Sequence, residues 1–164
     1  MLKKGLFLSL LLLCFGGMSD PGITFNLENL RNQKESLSDH LGKGPILIDF
    51  WATWCKPCVK ALPKINALHK KYAKQGLVVI GINEDGVRSK PKVKPFVKSM
   101  GIDFTILFDN NSEVMRKFGA QSLPTTVLLS PEGKIIETHS GYSANGLKKI
   151  ETKIVDMLQE KASD

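Results

Sequence analysis

Two cysteines separated by two residues, Cys55 and Cys58, are the positions at which this sequence could do chemistry. Two thiols at this spacing can close a disulfide ring within one helical turn. The pair lies where a buried strand is predicted to run into a helix, and the unpaired N–H groups of a first helical turn stabilise a thiolate. Lys56 adds a positive charge there, and Pro57 suits an early helix position. We therefore expect Cys55 to attack a target disulfide and Cys58, further into the helix, to resolve the mixed disulfide.

Two other uses of such a pair are a structural zinc site and a structural disulfide. Zinc needs two more nitrogen or sulfur ligands, and the three histidines, His40, His69 and His139, are isolated along the chain with no second pair of this kind. A disulfide that closes a four-residue ring gains little loop entropy. Redox exchange is therefore the favoured interpretation, and we expect neither a metal nor another cofactor.

The elements that position this pair follow from the hydrophobic pattern. Continuous apolar runs at 45–51 and 77–83 predict strands buried on both faces, and apolar residues at helical spacing predict a helix at 57–74 between them. The remaining pattern predicts a β-hairpin within 23–37, a helix from about 91–93 to 100, a strand at 104–108, a helix at 111–118, strands at 125–130 and 134–140, and a helix at 145–159. We predict an α/β fold with a mixed central sheet, helices on both faces and the N-terminal β-hairpin added to it.

Length and composition indicate one domain behind a leader. The chain has 164 residues, 42% hydrophobic and 24% charged, which suits a single core and excludes disorder as the main state. Lys3 and Lys4 precede about ten apolar residues and then small ones, which is typical of a secretory signal. We predict a signal peptide or an uncleaved anchor at 1–19 and one domain at 20–164. Acylation of Cys14 is a further alternative, although Leu13 stands where lipoprotein signals carry a small residue.

The charge of the exported part gives little reason to expect a nucleic-acid partner. Loss of residues 1–19 lowers the net charge from +7 to +5, because Lys3 and Lys4 leave and no acid does. A moderate excess spread along the chain is mostly a solvated surface. Because no large apolar stripe is left over after the core is assigned, we expect a monomer.

The segment from Phe50 to Cys58 resembles the active site of the thioredoxin superfamily. The fuller pattern is similar to the exported, TlpA/ResA-like thiol–disulfide oxidoreductases over about 23–158. Four features carry this resemblance: the N-terminal hairpin, the strand and motif at 46–55, an insert at 83–101, and the later signature Ser122-Leu123-Pro124-Thr125-Thr126 followed by Pro131-Glu132-Gly133-Lys134.

The resemblance implies a thioredoxin fold in which Pro124 is a cis-proline facing the two cysteines, with Trp54 flanking them. It implies an extracytoplasmic or periplasmic reductant of protein disulfides, active at Cys55 and Cys58. Its expected partners are a membrane-bound thiol reductase that recharges it and an oxidised client such as apocytochrome c.

Three acids are further candidates for the site. Asp49 interrupts a buried run and matches the acid that cytoplasmic-type thioredoxins carry beneath the resolving cysteine, so we expect it to accept the Cys58 proton. The alternative is that Asp49 pairs with Lys60 or Lys64 and only holds the site. Some relatives carry a Glu near the end of the second buried strand, where Glu84 and Asp85 are both candidates.

Two other functions on related folds remain as alternatives. A thiol peroxidase would carry a Pro and Thr pattern before its reactive cysteine, and Thr53-Trp54-Cys55 lacks the Pro. A Sco-like copper carrier uses three residues between its cysteines and a distant His, and the spacing here is one residue shorter.

Overall fold

The strand that leads into the cysteine pair is the centre of the sheet. The computed structural model describes residues 22–163, so the predicted leader at 1–19 lies outside the described residues. The six residues of β3 (Ile46–Trp51) are all buried, because the strand has neighbours on both edges and helices on both faces. β3 pairs in parallel with β4 (Val78–Asn83) and antiparallel with β6 (Thr125–Leu129).

Four further strands complete a seven-stranded mixed sheet. They are β1 (Asn26–Asn29), β2 (Lys34–Ser36), β5 (Thr105–Phe108) and β7 (Ile135–Ser140). The spatial order is β2-β1-β5-β4-β3-β6-β7, with the predicted N-terminal hairpin at one edge and β6–β7 at the other. The parallel strands β3, β4 and β5 need crossovers, which the helices between them supply.

Helices cover both faces of the sheet, as predicted. One face packs against α1 (Lys56–Tyr72), α2 (Lys90–Ser99) and α4 (Ala144–Ser163) around a core that includes Leu62, Val93 and Ile154. The other packs against the short α3 (Glu113–Lys117) and a 3-10 turn at Leu37–Asp39. Within the described residues, no helix combines the length and apolarity needed to cross a membrane.

The alternation of side chains along β3 determines which of its residues lie on the same face of the sheet as the cysteines. Alternate residues of a strand point to opposite faces. Leu47 and Trp51 share a core with Cys55 and Cys58, whereas Ile46, Ile48 and Phe50 belong to the core on the opposite face. Asp49 lies between Leu47 and Trp51 and has their parity, so its carboxyl group points into the layer that contains the cysteine pair.

Candidate active site

The cysteine pair occupies the first turn of α1, at the end of the sheet where β3 and β4 finish. Cys55 is the N-cap residue, with extended backbone, and its sulfur accepts a hydrogen bond of 3.3 Å from the Cys58 backbone N–H. The two residues form a disulfide, with their Cα atoms 5.2 Å apart. Cys58 is fully buried and Cys55 is 5% exposed, so Cys55 is the member of the pair that keeps some contact with solvent. An N-cap sulfur near unpaired N–H groups is the environment that favours a reactive thiolate.

The residues around the pair separate into a buried support and an exposed rim. Trp51 is fully buried and stacks on Phe96 of α2, with ring centroids 5.9 Å apart. Trp54 is 67% exposed in the turn before Cys55, and Lys56 and Pro57 are exposed at the start of α1. An exposed tryptophan beside an accessible sulfur offers a large apolar contact to an incoming chain.

Asp85 holds the loop that leads from β3 to Cys55. Its carboxylate accepts hydrogen bonds from the Thr53 backbone N–H at 2.8 Å and from the Thr53 hydroxyl. The Asn83 side-chain amide donates a third bond of 2.6 Å. Of the two acids following β4, Asp85 therefore ties that strand to the motif.

The carboxyl group of Glu84 contacts a different part of the chain from the one expected. Its Oε2 accepts a hydrogen bond of 2.6 Å from the Ser112 hydroxyl, and its Oε1 is buried without a partner. Burial raises the pKa of Glu84 to about 8, the Ser112 hydrogen bond opposes the rise, and nearby Asp109 adds to it. The Glu84 backbone N–H donates a hydrogen bond of 2.9 Å to the Trp51 carbonyl, but it is the side chain of Asp85, and not that of Glu84, that bonds to Thr53 in the motif loop.

Replacement of Glu84 should make stability less dependent on pH. The pKa of Glu84 is higher in the folded state than in the unfolded state, so between these two values the folded protein keeps a proton that the unfolded chain loses. The free energy of unfolding therefore falls as pH rises from about 4.5 to 8. Glu84→Gln should therefore gain about 2 kcal/mol relative to the parent at pH 9, after allowance for partial solvent screening, and little at pH 4. Urea unfolding at both pH values measures this gain, and equal midpoint shifts at the two would contradict it.

Asp49 is fully buried on the face of the sheet that packs against α1. The hydroxyl of Thr126, its partner on β6, donates a hydrogen bond of 3.0 Å to Oδ1, and Oδ2 has no hydrogen-bond partner. Burial raises the pKa of Asp49 to about 7, and the Thr126 bond partly opposes the rise. Lys60 and Lys64 are exposed on α1 and form no ion pair with Asp49 in the part of the chain described. The alternative that Asp49 pairs with one of these lysines is therefore wrong.

Pro124 lies at the start of β6, and the Leu123–Pro124 peptide bond is cis. Pro124 is buried and borders a small cavity together with Ala61, which lies three residues beyond Cys58 on α1. Its carbonyl oxygen accepts a hydrogen bond of 2.8 Å from the Gly141 backbone N–H. Pro124 therefore belongs to the layer that contains Cys58.

The structure brings one further polar group to this region that sequence reasoning missed. Thr126 makes the one side-chain hydrogen bond that Asp49 has among the described residues. The available signal was a threonine within a strand whose other members are buried, since a hydroxyl in such a run needs a partner.

Over residues 22–163, no three His, Cys, Asp or Glu side chains gather where they could hold a metal ion.

Comparison with known proteins places this arrangement in a family. Residues 18–138 match the model of the AhpC/TSA family. The thiol-disulfide oxidoreductase ResA of Bacillus subtilis is 36% identical over 117 residues, which are 71% of this chain and 64% of that protein's length. The chain therefore aligns with slightly less than two thirds of that relative.

Solved structures agree with the fold. A protein described as the thiol:disulfide interchange protein DsbE of Chlorobium tepidum superposes with a TM-score of 0.77 at 29% identity, over 85% of this chain and 96% of the other. The exposed lipoprotein thioredoxin Etrx1 of Streptococcus pneumoniae superposes with a TM-score of 0.65 at 26% identity, over 79% and 98%. Sequence and structure together show that this chain belongs to the AhpC/TSA family and has the thioredoxin fold.

Proposed function

We propose that this protein is an exported dithiol–disulfide oxidoreductase that reduces disulfides in other proteins. The observation that carries the proposal is the cysteine pair at the first turn of α1, in which Cys55 is the less buried residue and its sulfur accepts a hydrogen bond from a backbone N–H. The names of the relatives, a thiol-disulfide oxidoreductase and a thiol:disulfide interchange protein, support the same chemistry.

The reaction begins from the reduced pair. The Cys55 thiolate attacks one sulfur of the client disulfide, forms a mixed disulfide and releases the other client sulfur as a thiolate. Cys58 loses its proton and attacks Cys55, which closes the Cys55–Cys58 disulfide and releases the second client thiolate. The client gains two electrons and the cysteine pair loses two. A dithiol donor then returns the pair to its reduced form.

Asp49 is the proposed acceptor of the Cys58 proton. A buried thiol resists ionisation, so the second attack benefits from a base in the same layer. Burial brings the pKa of Asp49 to about 7, which lets it take and return a proton near neutral pH. Pro124 and Trp54 are proposed to receive the client chain beside Cys55, and Lys56 and Pro57 to favour the Cys55 thiolate.

The proposed setting is outside the cytoplasm, on the periplasmic side where the host has two membranes. The basic and then apolar start at 1–19 supports export or anchoring, and one solved relative is described as an exposed lipoprotein. In this setting the partners would be a membrane-bound thiol reductase and disulfide-containing clients, of which apocytochrome c is the proposed example. The chain is proposed to act as a monomer, without metal or other cofactor.

Single-cysteine variants test the separate roles proposed for Cys55 and Cys58. Cys58→Ser should accumulate mixed disulfides with a disulfide-containing client, because attack occurs and resolution does not. Cys55→Ser should trap none, because the buried Cys58 cannot reach an external disulfide. Non-reducing electrophoresis followed by mass spectrometry of the trapped species measures both. Trapping through Cys58 in the Cys55→Ser variant would reverse the assignment.

A parallel assay separates the proposed function from its two alternatives. The wild-type protein should reduce insulin with dithiothreitol as electron donor, and Cys55→Ser should not. A thiol peroxidase would instead consume hydrogen peroxide faster than it reduces insulin, and a copper carrier would bind Cu(I) stoichiometrically at the cysteine pair. Either of those results without disulfide reduction would overturn the proposal.

A further inference from the structure

Three side chains form a straight row across the sheet, from its centre to its edge. Asp49 on β3 is paired in register with Thr126 on β6, and Thr126 is paired in register with His139 on β7. Side chains of directly opposed residues lie on the same face of a sheet, with Cβ atoms roughly 5 Å apart. The row therefore runs from the fully buried Asp49, through Thr126, to the half-buried His139.

The inner contact of this row is a hydrogen bond, and its outer part borders a cavity. The Thr126 hydroxyl donates to Asp49 Oδ1 at 3.0 Å. Thr126 and His139 both border a small cavity of ≈ 10 Å³, together with Pro124 and Ser143. That volume is about the room that one water molecule occupies between polar partners. The hydroxyl is thus positioned between the buried carboxyl group and the cavity that His139 borders.

The side of Asp49 that faces β4 is tightly packed. Its neighbour on β4 is Gly81, which carries no side chain. The space beside Gly81 is filled by Ile106, Phe104 and the Trp51 ring, each within 3.1 Å of where a Cβ would stand. Among the described residues, Thr126 is the one hydrogen-bonding side chain that contacts the Asp49 carboxyl group.

His139 is held firmly at the outer end of the row. Its Nε2 lies 3.3 Å from the Ser143 hydroxyl, and its ring packs directly on Gly146, where any side chain would overlap it. Tyr142 also borders the cavity. The charged groups beside His139 on β7 and α4 are Glu137, Lys149 and Lys153, and the two lysines pair with the glutamate at 3.1 and 2.5 Å.

We propose that Asp49 exchanges protons with solvent through the Thr126 hydroxyl and His139. His139 is then the group that passes protons between solvent and a path that serves the cysteine pair. This inference rests on the proposed dithiol–disulfide exchange. The Cys58 thiol first gives its proton to the Asp49 carboxylate, and the resulting thiolate attacks Cys55 of the mixed disulfide, which forms the Cys55–Cys58 bond and releases the client thiolate. The Thr126 oxygen then accepts that proton while its own passes through the cavity to His139, which releases it to solvent. Asp49 returns to the carboxylate, and no electrons move in this step.

Thr126 and His139 variants test the path on a preformed mixed disulfide between Cys55 and a peptide. Resolution is followed by tryptophan fluorescence in a stopped-flow instrument from pH 5 to 9. His139→Gln should slow resolution about fivefold to tenfold in weak buffer, because the path loses the imidazole that exchanges protons with solvent. Thr126→Val should slow it at least as much, and Thr126→Ser, which keeps the hydroxyl, should restore it. His40→Gln, on the 3-10 side of the sheet, is the matched control and should keep the wild-type rate.

Added imidazole distinguishes a proton path from a change in packing. Imidazole at tens of millimolar can replace a partly exposed histidine as proton carrier, so it should restore the rate of His139→Gln. Imidazole should not restore the rate of Thr126→Val, because the hydroxyl that this variant lacks lies inside the protein. A wild-type pH profile for His139→Gln in weak buffer, or a slow rate that imidazole leaves unchanged, would overturn the path. Failure of the wild-type protein to reduce insulin would instead overturn the proposed function itself.

Discussion

Asp49→Asn should make the folded protein more stable above pH 7, by about 4 kcal/mol. Burial raises the pKa of Asp49 from 3.8 to about 7, and each unit of that rise corresponds to about 1.4 kcal/mol. The folded state keeps the Asp49 proton while the unfolded state loses it, so the stability of the parent falls as pH rises from about 4 to 7. Asparagine keeps the shape and an oxygen that can accept the Thr126 hydroxyl bond, and it carries no charge to bury.

Denaturant unfolding of parent and variant at pH 4 and pH 8 measures this effect. The two proteins should differ by less than about 1 kcal/mol at pH 4, which is close to the ordinary pKa of 3.8 and far below the raised pKa of the folded state. The difference should grow to its full size by pH 8. A variant equally or less stable than the parent at pH 8 would mean that Asp49 has a compensating partner, contrary to its buried and unpartnered Oδ2.

The same substitution should slow resolution of the mixed disulfide at least tenfold near neutral pH. Asparagine cannot accept the Cys58 proton, and a positioned base contributes on the order of a hundredfold or more to such a step. The pH–rate profile should also flatten, because the titrating group is lost. Glu84→Gln removes a second carboxyl group of raised pKa but leaves Asp49 in place. Comparison of the two profiles therefore assigns the loss to Asp49, and a wild-type profile for Asp49→Asn would remove it from the mechanism.

Most of the fold was predictable because its signals are local. The apolar run that became β3 is buried along its whole length, as a strand with helices on both faces must be. The N-terminal hairpin and the β6–β7 pair also follow from short patterns bounded by turn residues. Asp49 could be identified as a candidate for the same reason, because burial of a carboxyl group is costly unless the group is paired or functional.

The contacts around the site were less predictable, because they join residues distant in the chain. Spacing could not choose between Glu84 and Asp85, which are neighbours, since the turn after β4 decides which carboxylate reaches Thr53. The Asp49–Thr126 bond spans 77 residues and depends on the register between β3 and β6. The place of His139 beside the cavity depends likewise on the β6–β7 pairing and on Gly146 of α4.

Asp85→Ala should cost about 3 kcal/mol of stability and reduce the rate of disulfide exchange about tenfold. The substitution removes three hydrogen bonds and leaves the Thr53 N–H, which is partly buried, without an acceptor. Because Thr53 lies two residues before Cys55, a loosened loop lets the attacking sulfur leave its position, and small displacements of a reacting atom are costly. Asp85 is on this view a positioning residue that acts through the loop.

Two graded variants separate positioning from stability. Thr53→Ala loses the hydroxyl bond and keeps the backbone bond, so it should have the smaller effect on both stability and rate. Asp85→Asn, which keeps one acceptor oxygen, should fall between Thr53→Ala and Asp85→Ala. The rate of Cys55 alkylation by iodoacetamide, measured well below the unfolding temperature, reports on the sulfur itself and should fall in the same order as kcat. If all three variants lose stability but alkylate and turn over like the parent, the Asp85 contacts hold the fold and have no part in placing Cys55.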